Sequence, residues 1–286
     1  MVHLVMFLHS AISAGTYLAA KRALGELSPF EVALVRFGLS SLAFGLLLWR
    51  RPVRVARRDL LALLGLGVIA IPVNQGLFLA GMAWTTPGHA ALLYALTPVF
   101  VFLIARVRLG ERAGPAKLAG IALAFAGVVV VLLGRGVVGL HGSSRQLAGD
   151  LLILLAVVAW SVFAVAGKPY AQRYGAVGST GVALVLGTLV YLPVGLVATD
   201  WSRLGALSAT GWASLGYLVL LTSVVAYILY YWALSRAEAS RVAIWSNLQP
   251  VLTALLAWAI AGERLTAPFV AGGAMVIAGV ILTERG

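Results

Sequence analysis

The densest group of polar and aromatic side chains inside an apolar stretch of this chain is Trp245, Ser246, Asn247 and Gln249, directly before Pro250. A helix cannot place all four on one face, so some serve packing, while Trp245, Asn247 or both are expected to face an interior cavity. Asn74 and Gln75 follow Pro72, and Asn74 shares a face with Phe78 at i,i+4. These amides either bond carbonyls freed by Pro72 or line the same cavity. Tyr94 lies four residues before Pro98, whose missing N–H leaves the Tyr94 carbonyl without its helical donor. Trp160, with Ser161 and Phe163 beside it, sits deeper in its stretch than an interfacial belt residue, which favours a cavity role. Tyr227, Tyr230 and Tyr231 form an i,i+3,i+4 face that reads either as a belt or as a wall, and Ser10, Ser13, Thr16 and Tyr17 add hydroxyls near the N-terminus. Tyr17, Asn74, Phe78, Tyr94, Trp160, Phe163, Tyr227, Trp245 and Asn247 are thus the candidate binding residues. Their chemistry is recognition: rings to stack on a ring, amides and hydroxyls to hold polar ends.

Bond-making chemistry has little to work with. The chain has no cysteine, no HExxH and no GxSxG, and His3, His9, His89 and His141 lie near the ends of apolar stretches or in a loop. No catalytic residue, metal or cofactor is expected. None of the nine acidic residues lies in the middle of an apolar stretch: Glu26, Glu31, Asp59, Asp150, Asp200 and Glu238 flank them or stand at their ends, Glu284 is terminal, and Glu111 and Glu263 sit in matching turns. Arg36 is the one deep basic residue, placed to snorkel or to face a cavity. A channel would need charged rings at its pore, which the stretches do not supply.

The elements that carry these residues are membrane helices. Of 286 residues, 62% are hydrophobic and only 10% charged, where a soluble domain carries about 25%. Mean hydropathy is +1.00. Apolar blocks of roughly twenty residues, enough to cross a bilayer, are expected near 4–24, 30–49, 60–82, 89–108, 115–134, 148–168, 177–198, 208–234, 241–261 and 267–283. The net charge of +12 does not indicate nucleic acid, because the arginines lie between apolar blocks. The lipid bilayer and a small-molecule substrate are the expected partners, with the chain working as a monomer.

One stretch is written twice. Leu96–Arg112 and Leu248–Arg264 share Leu, Pro-Val, Leu, Ala and a terminal Gly-Glu-Arg in one register, which continues through Ala119-Gly120/Ala271-Gly272 and Ala126-Gly127-Val128/Ala278-Gly279-Val280. This predicts a first five-helix repeat over 1–134, a linker over 135–147 and a second repeat over 148–286. Fourteen Lys and Arg fall on one side of the expected topology and six on the other, so both termini are expected in the cytoplasm of a bacterial inner membrane. An odd number of spans per repeat turns the second copy upside down, the architecture of carriers that alternate access around a midplane site. Gly120, Gly127 and Gly134, with Gly272 and Gly279, form stripes for close helix contact. Glu111 and Glu263 stand where a carboxylate meets the positive end of a helix.

These features together resemble the drug/metabolite transporter superfamily, ten-helix EamA-domain type: Pro-Val twelve residues before Gly-Glu-Arg in each half and Ala-Gly-Val near each half's end. Within it the chain is most similar to YddG-type exporters of aromatic amino acids and related metabolites. The resemblance implies an all-α integral membrane fold, ten transmembrane helices in two inverted repeats around a central cavity. It also implies export of small amphipathic metabolites, aromatic and other amino acids first. Without a buried carboxylate, facilitated diffusion is expected ahead of proton-coupled export of drugs or other metabolites, and an intramembrane enzyme is the remote alternative.

Overall fold

A computed structural model describes residues 1–112, 114–133, 144–261 and 267–285. The second copy's turn, Gly262-Glu263-Arg264, lies outside these, as do Gly134, His141 and most of the expected linker. The described residues are helix, turn and loop, with no strand among them. In chain order the long helical segments are α1 (Val2–Ala23), α2 (Pro29–Arg50), α3 (Arg57–Trp84), α4 (Pro87–Tyr94 and Thr97–Arg108), α5 (Pro115–Leu133), α6 (144–174), α7 (176–198), α8 (Ala209–Leu234), α9 (Ala239–Ala243, Ile244–Asn247 and Leu248–Ala261) and α10 (Ala267–Arg285), with a short helix, Trp201–Gly205, between α7 and α8. Val2–Ala23, Pro29–Arg50, Arg57–Trp84, His89–Arg108, Ser144–Ala198 and Ala209–Leu234 are long and apolar enough to cross a membrane. Large apolar side chains point outward, among them Leu42, Trp49, Leu61, Val107 and Val197, as a lipid-facing surface requires.

Local chemistry sets the helix ends. Ser28 and Glu31 form a reciprocal capping box ahead of α2, with Pro29 in its first turn. The Ser208 hydroxyl accepts from Gly211 N to start α8. Between α6 and α7 the chain turns at Gly175, whose φ of 73° lies in the left-handed region that glycine enters at no steric cost.

The helices are irregular at matching places. In α3 the backbone widens to a π-helix over Ile69–Gln75, around Pro72. Proline removes an amide and crowds the carbonyl four residues back, and a wider turn makes room for it. In α8 a π-helix spans Tyr217–Ala226 without any proline. α4 breaks at Ala95-Leu96 and α9 tightens to a 3₁₀ turn over Ile244–Asn247, each just before the proline of the repeated stretch. The Tyr94 carbonyl stripped by Pro98 is not left bare, since the Thr97 hydroxyl donates to it at 2.6 Å.

α5 and α10 pack against each other along their glycines. A Cβ on Gly120 would come within 2.7 Å of the Gly279 carbonyl, and one on Gly127 within 2.6 Å of the Gly272 carbonyl. The low number of one helix meets the high number of the other, so the pair is antiparallel. In the repeat register Gly120 corresponds to Gly272 and Gly127 to Gly279. The two contacts therefore exchange when the copies are swapped.

Candidate functional site

A cavity of about 70 Å³ lies where α1, α2, α3, α4, α6, α8 and α9 converge. Pockets that enclose a drug-sized ligand run to roughly 300–1,000 Å³, so this one is contracted, and its lining residues are buried or half-buried. Two aromatic clusters face each other across it. Tyr17, Phe78 and Tyr94 meet edge-to-face with ring centroids 5.8–6.2 Å apart. Opposite, Trp160 lies 5.3 Å from Tyr227 and 5.1 Å from Tyr230, with Phe163 and Tyr231 packed behind.

Between the clusters lies a charged group. Arg36 is 1% exposed and lines the cavity. Its Nε donates to Ser223 Oγ at 2.7 Å and its Nη1 to Gln75 Oε1 at 2.8 Å. The Gln75 amide donates in turn to Asn74 Oδ1 and, at 3.4 Å, to the Tyr227 hydroxyl, while Asn74 Nδ2 donates to the Ala156 carbonyl at 2.7 Å. Neutral oxygens from α3 and α8 thus orient the guanidinium, and among the described residues no carboxylate pairs with it. An arginine at this depth costs about 2.5–3.5 kcal/mol on insertion scales, so such residues usually carry a function.

α1 supplies the hydroxyl and imidazole wall. His9 Nδ1 donates to the Ala226 carbonyl at 3.0 Å, at the end of the π-helical stretch, which leaves Nε2 to accept from Ser13. Thr16 and Thr222 hydroxyls meet at 3.0 Å, and the Tyr17 hydroxyl donates to Gln249 Oε1 at 2.9 Å. Ser10 bonds the Trp245 carbonyl, so α1 is stitched to both α8 and α9.

Of the candidates from sequence, Tyr17, Phe78, Tyr94, Trp160 and Tyr227 line the cavity. The other four do not. Asn74 stands behind the wall and fixes Gln75. Phe163 backs Trp160. Asn247 is fully buried with no hydrogen-bond partner on its amide. Trp245 is turned outward by the 3₁₀ turn: its indole N–H donates to Glu284 at 2.8 Å and its ring faces His3. From the same cluster it is Ser246 and Gln249 that reach the cavity. His9 is part of the wall although its position in the sequence suggests a span end. Its register with Ser13 and Thr16 at i+4 and i+7 was the available signal.

Polar contacts tie the helices together toward both ends of the bundle. α4 starts at Pro87 near Lys21 and ends near Glu111, so these residues mark opposite ends. Lys21 Nζ donates to the Met82 and Thr85 carbonyls, both at 2.8 Å, while Asp150 bonds the Thr85 hydroxyl and His89. At the other end Glu111 accepts from Ala239 N at 2.6 Å and from Ser240 N and Oγ, capping α9. A carboxylate at a helix start was expected there, but the helix it caps is distant in sequence rather than the next one. Lys117, 1% exposed, lies 2.7 Å from Glu238 and 3.9 Å from Glu111, and Lys168 bonds the Ala237 carbonyl. The ammonium of Lys117 holds the Glu238 carboxyl below the usual range.

Helices faced with apolar side chains around a cavity of rings and hydrogen-bonding groups describe a multi-pass membrane protein, and the comparisons make it a transporter. The EamA-like transporter family profile matches residues 1–133 and 147–285, and the chain belongs to that family. It is 33% identical to an uncharacterized transporter of Archaeoglobus fulgidus over 98% of this chain and 96% of that protein. It is 32% identical to a probable terminal-alkyne amino-acid exporter of Streptantibioticus cattleyicolor, over 91% of this chain and 83% of that one. A crystal structure with 20% identity superposes with a TM-score of 0.80 over 99% of this chain and 96% of that chain, which shows the fold alone.

Proposed function

We propose that this transporter exports small amphipathic metabolites, aromatic and other amino acids first among them, by alternating access and down the substrate gradient. The observation that carries the reading is the cavity itself: two ring clusters, one from each half, flank hydrogen-bonding groups at the junction of seven helices. All ten helical segments cross the membrane in this reading, as two five-helix repeats of opposite orientation, 1–134 and 148–286. The exchanging glycine contacts of α5 and α10 support the inversion. The excess of Arg and Lys at the Glu111 end makes that end cytoplasmic, with both termini inside and the protein in the cell membrane. The chain works as a monomer. The amino-acid side of the proposal draws support from the exporter to which the chain is 32% identical.

Proton coupling is the competing mechanism, and His9, a titratable group in the wall, is what favours it. Proteoliposomes loaded with unlabelled amino acids, nucleosides or amines and given labelled counterparts outside distinguish these readings. Saturable counterflow of an amino acid without any ion gradient supports the proposal. Uptake only under an imposed proton gradient selects the coupled mechanism, and absence of flux for every class removes amino-acid export.

A further inference from the structure

We infer that the cavity is an anion-recognition site in which Arg36 receives the carboxylate of the transported molecule, so that the substrates are small acids and zwitterions and not amines. The inference deepens the export reading and rests on it for the location of the site.

A guanidinium keeps its charge at any physiological pH, and its flat fork matches the two oxygens of a carboxylate. Here Nε and Nη1 are occupied by Ser223 and Gln75. Both partners are neutral, so they fix the direction of the group without cancelling its charge. Nη2 makes no hydrogen bond among the described residues. Of the other titratable groups in the wall, Tyr17, Tyr94 and Tyr227 are neutral phenols at physiological pH and His9 is neutral or a second cation, so none of them offers a negative charge. A substrate ammonium would therefore meet an unmatched positive charge in a medium of low dielectric, where repulsion is strong. A carboxylate would complete an ion pair that the protein leaves half-built, with its apolar part against Tyr17, Phe78 and Tyr94 on one side or Trp160 and Tyr227 on the other. A zwitterion fits when its ammonium points to carbonyls and ring faces. If Arg36 served only to tie α2 to α3 and α8, the charge on the ligand would not matter, and that separates the two roles.

The test uses matched probes on the intact wild-type protein: 3-phenylpropionate against phenethylamine, and phenylalanine against phenylalaninamide. Competition for counterflow in proteoliposomes is measured beside thermal stabilisation of the purified protein by each probe. The expected result is that the acid and the zwitterion compete and stabilise at concentrations at least tenfold below the amine and the amide. Equal or better action of the amine overturns the inference and leaves the carrier reading standing. Stabilisation by the acids without flux of any probe keeps the anion site and removes the transport reading. Neither stabilisation nor flux with any probe overturns both. Arg36→Lys keeps the acid preference with weaker competition, and Arg36→Gln abolishes it. Should Arg36→Gln fail to fold, the wild-type selectivity still decides.

Discussion

Toward its two ends the bundle is tied together by different chemistry. At the Glu111 end a buried carboxylate caps a helix from the other half of the chain, and the buried Lys117 is shared between it and Glu238. At the Lys21 end the lysine binds carbonyls of its own half, and the acid, Asp150, sits about one-fifth exposed among Thr85 and His89. The Glu111 cluster spends a buried lysine, a buried carboxylate and backbone amides on contacts between the halves. The Lys21 end also joins the halves, since buried Glu31 accepts from Asp200 N and Glu26 accepts from Ser208, but its Asp150 cluster is partly hydrated. Breaking a buried charge cluster leaves unpaired groups in a dry place, whereas breaking a wet one does not. The Lys117–Glu111 cluster is thus costlier to break than the Asp150 cluster.

Four measurements sharpen or break that contrast. The largest effect is expected from Glu111→Gln, which removes the charge that caps α9 and faces Lys117: about 3–5 kcal/mol of stability by the usual cost of breaking a buried pair, read as a lowered unfolding midpoint in detergent. The chain lacks cysteine, so Ser13→Cys in the cavity wall provides a single reporter. In the Glu111→Gln background an impermeant maleimide is expected to reach it faster from the Glu111 end. Next comes Asp150→Asn, with about 1–2 kcal/mol lost as a charged acceptor becomes neutral and faster labelling from the Lys21 end. Equal effects of the two substitutions would remove the contrast.

Acidification acts in one direction on the half-exposed Glu238. Lys117 holds the Glu238 carboxyl below the ordinary glutamate value of 4.5, so the stability it contributes is present above that value and is lost as pH falls through the lowered one. Labelling of the same reporter from the Glu111 end is expected to rise only at such acid pH. A rise between pH 8 and 6 would point to a different group. The smallest effect is expected for Trp245→Phe. This indole lies outside the cavity, so counterflow should stay within about twofold, as for substitutions away from critical contacts. A large loss would return Trp245 to the binding site.

Much of the fold was legible because its signals are local. Pro98 and Pro250 mark breaks in two helices, the glycines of α5 and α10 repeat every seven residues, and the length of each apolar run gives its helix. Phe78 and Tyr94 could be selected because they lie inside spans near prolines, and Trp160 because it lies deeper in its span than a belt residue. The rest depends on angles that no local pattern carries. A 3₁₀ turn over Ile244–Asn247 rotates Trp245 out and brings Ser246 and Gln249 in. The π-helical stretch in α8 has no proline to announce it, yet it ends at the carbonyl that His9 binds. Arg36 could be read from sequence as snorkelling or facing a cavity, and only its contacts with Gln75 and Ser223 decide between these. Glu111 meets Ala239 and Ser240 across more than a hundred residues, a pairing that becomes visible only when the halves are docked.

The Thr97 hydroxyl on the Tyr94 carbonyl carries one more consequence. A helix that bends inside oil ordinarily strips a carbonyl of its amide and has no water to replace it. In α4 the replacement travels with the bend, three residues along the same strand of chain. The bend in α4 therefore leaves no bare dipole at Tyr94, and the segments on either side of it stay helical.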